Sequence, residues 1–299
     1  MNVEFGACIP HYGVPMSKKA IADFCKLAED LNFDSIWTTD HVAVNKQFSN
    51  PYGSICESLI TLGYVTAKTE RVKLGTSIII LPMRNPILFA KQTATLDQLS
   101  DGRLILGVGA GWMEDEFATL GSNFHDRGKI MDEQIQLLRE LWTHTEPKFN
   151  GQFFKLSDVA FSPKSRQENG PPIWIGGASH AALKRVERLG DGWHPVGLSP
   201  KELIQGKEKL DSLLKGKRKV SVSVRVPVKI SSSADTKYTL SSGEEAYMIG
   251  GTRQAVLREI ELFKQAGLDH LICYFGNDPY AEVASQASLF GREVITSFK

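Results

Sequence analysis

Cysteine is scarce and scattered. The four residues Cys8, Cys25, Cys56 and Cys273 show no C-x-x-C spacing. This excludes a cysteine-built metal motif and a disulfide framework, and fits buried thiols in a reducing cytoplasm. No apolar run reaches the roughly 18 residues that a membrane span needs. Charge of one sign is also lacking: 35 basic and 34 acidic residues leave a net charge of +1. The one basic cluster, "KGKRK" from Lys215 to Lys219, reads as a solvated loop, so no nucleic-acid partner is expected. The opening "MNVEFGACIP" lacks the basic region and apolar segment of a secretory signal, and the expected location is the cytoplasm. There is no Walker motif, no G-x-S-x-G elbow and no H-E-x-x-H. Histidines and carboxylates do not cluster as ligands at several strand ends, so neither a metal nor a metal-dependent hydrolase is expected.

What is present is rhythm. The chain has 299 residues, 42% hydrophobic and 23% charged, enough for a sizeable core. Short β-rich runs alternate with amphipathic segments. "VEFGACI" reads as a strand and "KKAIADFCKLAEDLN" as a helix capped by Ser17. "FDSIWTTDH", "RVKLGTSIIIL" and "RLILGVGAG" are strands, separated by "ESLITLGYVTAKT" and "PILFAKQTATLDQLS" as helices. After Gly111 the alternation breaks into two helices and a hairpin with Asn150-Gly151 at its turn. It resumes at "PPIWIGG" and continues to the last helix, "DPYAEVASQASLFGREVI". The polar stretch from Ser231 to Glu245 reads as a surface excursion. About eight β/α units imply an α/β fold, a (β/α)8 TIM barrel in one domain over residues 1–299, with an insertion at about 113–170. An open doubly wound sheet shares the βαβ rhythm; eight repeats without a domain break favour the barrel.

In a barrel, chemistry sits at the C-terminal ends of the strands. The second strand ends in "TTDHV", which brings Asp40 and His41 to the rim, either as packing or as an acid–imidazole pair able to move a proton. In the third strand, "LGTSIIILP", Gly75 suggests a bulge. The fourth ends in "GVGAGW". This fails the G-x-G-x-x-G fingerprint, because Trp112 takes the place of the last glycine and the stretch follows the fourth strand instead of the first. Gly107, Gly109 and Gly111 share one face, which serves either tight packing or the approach of a flat ligand. Glu114, Asp115 and Glu116 read as first-turn acids facing the helix dipole. The fifth strand ends in Gly176-Gly177-Ala178-Ser179 just before a helix. Free N–H groups there suit a phosphate, and a capped tight loop is the competing reading.

Together, "FDSIWTTDHV", "RVKLGTSIIILPMRNP", "TLDQLSDGRLILGVGAGWMEDEF" and "PPIWIGGASHAALKRVERLGDGWHP" resemble the bacterial luciferase-like superfamily of flavin- and deazaflavin-dependent oxidoreductases, in particular its coenzyme F420 branch. The resemblance spans nearly the whole chain. It implies a tricyclic ring over the third strand, with a non-prolyl cis peptide at Ser77-Ile78. Asp40 and His41 would face the ring, Gly109, Ala110 and Gly111 would border the cofactor tail, and Gly176 to Ser179 would hold its phosphate. In the sugar-phosphate dehydrogenases of this family a glutamate follows the last glycine of the "GVGAG" stretch, where Trp112 stands here. In luciferase an arginine of that stretch helps bind the flavin phosphate, where Ala110 stands here.

The resemblance therefore implies an F420-dependent enzyme that moves hydride to or from a small organic substrate, with His41 as proton carrier. FMN is the alternative cofactor, in an FMNH2-dependent monooxygenase, and a non-catalytic flavin-binding barrel is the third reading. Trp112, Phe48 and His194, with Trp174 and Trp193, are expected to line an apolar or aromatic substrate pocket. The loop at Asn85-Pro86 and the stretch from His125 to Gly128 are candidates for a lid. A homodimer through the helices beside the second and third strands is also implied.

Overall fold

A computed structural model of the chain describes residues 3–233, 237–239, 243 and 245–299. Part of the expected excursion between Ser231 and Glu245 lies outside the described residues. Eight parallel strands close into a barrel: β1 (Glu4–Cys8), β2 (Ser35–Thr38), β3 (Lys73–Ile80), β4 (Leu104–Gly109), β5 (Ile173–Gly176), β6 (Gly192–His194), β7 (Ser221–Ile230) and β8 (His270–Tyr274). Each pairs with the next in sequence, and β8 pairs back to β1. A ninth strand, Ile249–Gly251, extends the sheet beside the end of β7.

A helix follows every barrel strand: α1 (Lys18–Asp30), α2 (Ser58–Thr66), α3 (Pro86–Leu99), α4 (Arg127–Thr143), α5 (His180–Leu189), α6 (Pro200–Leu214), α7 (Arg253–Gln265) and α8 (Tyr280–Phe290). Local chemistry sets these bounds. Ser17 caps α1 by accepting from Ala20 N at 3.0 Å, and Ile21, Phe24, Cys25 and Ala28 give it a buried stripe. Asn85 caps α3, with Pro86 at its first position, so the expected lid loop is a helix start. Ser199 and Glu202 form a capping box on α6. Among the described residues no helix is long and apolar enough to cross a membrane.

The segment between β4 and β5 is less of an insertion than the rhythm suggests. Its long helix, α4, takes the barrel's fourth helical position and packs between α3 and α5. What is added is a short helix, Glu114–Thr119, and a return path after Thr143 carrying the hairpin Phe149–Asn150 with Lys155–Leu156. Two buried or half-buried carboxylates pin that path. Glu133 accepts from the amides of Gln152, Phe153 and Phe154, and Asp97 accepts from Ser165, Arg166 and Gln167.

The buried side chains fall into two clusters. The larger lies between strands and helices. The smaller fills the barrel and includes Tyr12, Trp37, Trp174, Ile272 and Tyr274. Gly75 serves this second cluster: a Cβ there would fall inside the indole of Trp37. The bulge expected at Gly75 lies instead between Thr76 and Ile79, where the register of β3 against β4 shifts.

Candidate active site

The irregular stretch of β3 shapes the mouth of the barrel. The Ser77-Ile78 peptide bond is cis, as the resemblance implied. Ile78 is half-buried while Thr76, Ser77, Ile79 and Ile80 are buried, so it is the part of the strand that reaches the mouth. Its side chain covers the glycine face of the neighbouring strands. A Cβ on Gly109 would overlap Ile78 Cδ1, one on Gly107 would overlap the Thr76 carbonyl, and one on Gly176 would sit 3.1 Å from Ile78 Cγ2. The bare face expected to meet a ligand is thus filled from within the chain. The glycines admit the protruding residue, and any flat ligand would meet Ile78. Gly111 (φ +83°) then turns the chain toward the short helix.

At the end of β2, Asp40 and His41 diverge. Asp40 is buried, accepts from Ile80 N at 2.9 Å and pairs with Arg84. Burial pushes its carboxyl up, against the charge of Arg84 and the Ile80 amide. It ties β2 to the end of β3, and both oxygens are engaged there, so it does not face the mouth as expected. His41 does. It is 6% exposed, and its Nδ1 lies 2.8 Å from Glu116 Oε2. Its ring lies against Tyr52, with centroids 4.4 Å apart, and its Nε2 has no hydrogen-bond partner among the described residues.

Glu116 is a first-turn acid of its helix, as read from the sequence. What that reading lacked is its partner: the side chain is fully buried and turned to His41. Its Oε1 accepts from Val42 N at 2.6 Å and Ala43 N at 3.2 Å, so it also shapes the loop that carries His41. Burial alone would raise its pKa. The His41 hydrogen bond, the two amides and the charge of His41 outweigh burial and hold the carboxyl below its ordinary value. An ionised carboxylate only accepts, so His41 Nδ1 carries the proton and Nε2 is the nitrogen left for other work. The missed signal was periodic: Glu116 shares a helix face with Met113 and Phe117, both buried.

Phe48 and Trp112 meet edge to face with centroids 5.1 Å apart, and Trp112 lies 6.4 Å from the His41 ring. Trp112 is 45% exposed. This aromatic wall beside His41 matches the expected grouping. His194 does not join it. It is fully buried in the barrel, stacked on Trp37 at 5.3 Å, with Nδ1 2.8 Å from Ser223 Oγ and Nε2 2.8 Å from Ser77 Oγ. It braces Ser77 from below. Trp174 is also inside the barrel. Trp193 is buried and donates its indole N–H to the Gly177 carbonyl at 2.8 Å.

Gly177 (φ +97°), Ala178 and Ser179 are exposed, and a Cβ on Gly177 would meet only Ala182. Ser179 caps α5 through Ala182 N at 3.2 Å. Both features anticipated from the sequence, the cap and the open backbone, are therefore present.

The opposite end of the barrel is also polar. A cavity of about 1520 Å³ opens there, lined by Glu4, Lys73, Arg103, Asp269 and His270 among others. Its buried polar groups pair with one another. Trp37 Nε1 donates to Ser35 Oγ at 2.6 Å, and Ser35 Oγ lies 2.8 Å from His270 Nε2. His270 Nδ1 is 3.1 Å from Glu4 Oε2, off the line of a good hydrogen bond, and Lys73 donates to Glu4 at 2.8 Å. Despite its size this cavity lies at the N-terminal ends of the strands, away from His41.

A family model described as luciferase-like monooxygenase matches residues 4–270, and the chain belongs to that family. It is similar to an F420-dependent glucose-6-phosphate dehydrogenase of Amycolatopsis mediterranei, 27% identical over 91% of this chain and 92% of that one. It also resembles an FMNH2-dependent dimethylsulfone monooxygenase of Pseudomonas putida, 35% identical over 48% of this chain and 40% of the relative. The fold matches that of an F420-dependent secondary alcohol dehydrogenase solved with an F420–acetone adduct, with a TM-score of 0.82, 20% identity and 99% of each chain covered.

Proposed function

We propose that this protein is an F420-dependent oxidoreductase acting on a small organic substrate. The observation that carries the reading is His41. Its Nδ1 is anchored on ionised Glu116, and its Nε2 is open beside Phe48 and Trp112. The F420-dependent relatives set the cofactor class. Ala110, where luciferase has its phosphate-binding arginine, favours the deazaflavin over FMN.

The bound deazaflavin would supply a hydride donor and acceptor at its C5. The chain's own residues fit such a group. Ser77 and Ile78 form a protruding floor at the mouth, and Gly109, Ala110 and Gly111 border it. Gly176 to Ser179 offer open backbone at the start of α5 for a phosphate. His41 holds a proton at Nδ1 against Glu116, so its Nε2 can take a proton from a substrate hydroxyl or return one to a forming alkoxide. Asp40 positions this loop through Ile80 and Arg84. The buried ion-pairing partner of His41 is an arrangement that a cofactor store does not need, which supports catalysis over a non-catalytic barrel.

The reading includes a homodimer through α2 and α3, where Ile60, Leu88 and Leu99 are among the exposed large apolar residues. Light scattering of the purified chain checks this.

Spectral titration with oxidised and reduced F420 and FMN tests the cofactor. Tight F420 binding supports the proposal. Tight binding of FMN alone rejects it in favour of the monooxygenase reading.

A further inference from the structure

One buried charge at the mouth has no counter-charge among the described residues. Arg225 lies midway along β7, with its side chain turned into the barrel, and is 9% exposed. Its Nη1 donates to Thr39 Oγ1 and to the Ser77 carbonyl, each at 3.0 Å, and its Nη2 donates to the Tyr12 hydroxyl at 3.1 Å. Its guanidinium lies 5.2 Å from the centroid of the Tyr274 ring. Every one of these partners is neutral. Burial pushes the Tyr12 and Tyr274 phenols up, so they are not phenolates near neutral pH. The buried carboxylates at this end are committed elsewhere, Asp40 to Arg84 and Glu116 to His41. No ion pair reaches Arg225 among the described residues.

An arginine cannot shed its proton, so burial leaves it charged. An isolated buried charge is expensive, and chains rarely keep one without an anion to meet it. The other mouth cation, Arg84, is matched by Asp40 and Glu57. The groups around Arg225 come from the loop after β1, the ends of β2 and β8, and the bulge of β3, so they ring the mouth. The surroundings are also aromatic: Tyr12 stacks on Tyr274 at 6.2 Å and lies 5.7 Å from Tyr52.

We propose that Arg225 is the receptor for an anionic group of the substrate, a carboxylate or similar planar monoanion on an aromatic or short apolar body. A planar fork of donors matches such a group, and tyrosine faces suit the body that carries it. This deepens the proposed function by naming a substrate class, and it rests on that reading for the word substrate.

The probe is benzoate, with neutral benzamide as its isostere, titrated calorimetrically into the full chain without cofactor. Wild type binds benzoate at least ten-fold tighter than benzamide, and benzoate alone raises the melting temperature. Arg225→Gln loses benzoate affinity at least ten-fold, while Arg225→Lys keeps part of it. Equal binding of the two probes by wild type overturns the proposal, and this arm needs no variant to fold. So does undiminished benzoate binding by a folded Arg225→Gln. A parallel titration with reduced F420 separates the sources of anion. If Arg225→Gln loses F420 affinity ten-fold and keeps benzoate affinity, the arginine serves the cofactor and the proposal fails. Benzoate binding without F420 binding leaves the subsite standing and removes the cofactor reading instead.

Discussion

At the N-terminal end of the barrel, Lys73, Glu4, His270, Ser35 and Trp37 close on one another, with His270 Nδ1 3.1 Å from Glu4 but off the line of a hydrogen bond. At the C-terminal end, among the described residues, His41 presents Nε2 with no partner and Arg225 presents a charge with no carboxylate. Both ends are polar, and a cavity of about 1520 Å³ opens at the closed set. The difference lies in what is left unmatched. A network whose charges meet one another contributes rigidity, whereas a buried charge without a counter-charge has capacity for a ligand.

The comparison breaks most visibly at His41. His41→Gln should lower F420-linked turnover by about 10²–10⁴-fold, the range for a general acid–base group. Cofactor affinity by fluorescence titration should change little. Unchanged turnover would remove His41 from the chemistry. Glu116→Gln comes next. It takes away the ionised acceptor that fixes the His41 tautomer, so turnover should fall by about 10²-fold, within the same general-acid range. Urea unfolding should show a loss of about 1–3 kcal/mol for the disturbed buried hydrogen bonds. Gly107→Ala pushes a methyl into the Thr76 carbonyl, backbone that cannot rotate away, and overpacking should cost about 1–3 kcal/mol while displacing the floor of the mouth. A variant as stable as wild type would show that β4 does not press on the bulge of β3.

Two pH effects sharpen the contrast. Burial first, then the charges of Arg225 and His270, push His194 down to about 3. Between about pH 6.5 and 3 the unfolded chain takes up a proton that the native imidazole refuses, so stability falls as pH falls through that window. His194→Gln should flatten this slope in chemical unfolding, and an unaltered slope would count against the buried neutral imidazole. At the other end, His270 first and Lys73 after it hold Glu4 down to about 2 against burial. Its contribution is present above about pH 4.5 and fades toward pH 2. Because Glu4 is half-exposed, Glu4→Gln should change stability by less than about 1 kcal/mol and leave turnover untouched. A turnover loss there would erase the distinction between the two ends.

The barrel was legible because its signals are local: period-2 runs, period-3.6 stripes, and caps such as Ser17 and Ser199. His41 was legible from its place at a strand end. Its partner was not, because three consecutive acids at a helix start look alike until tertiary packing selects Glu116 through its shared face with Met113 and Phe117. The glycines of β4 were recognised as special, but what fills their space is Ile78 from another strand, a long-range fact. Arg225 was hidden by alternation. "SVSVRVPVKI" reads as a two-faced strand, and in this barrel the face carrying Ser223 and Arg225 is the interior. His194 erred the other way: a histidine at a strand end looked like a rim residue and proved to be an internal brace for Ser77.

The most direct test is nitrogen NMR of the His41 imidazole, with Glu116→Gln as the reference. The expected result is a proton held on Nδ1 by ionised Glu116, with Nε2 bare in the neutral ring. A neutral His41 protonated on Nε2, with Nδ1 bare, would contradict it.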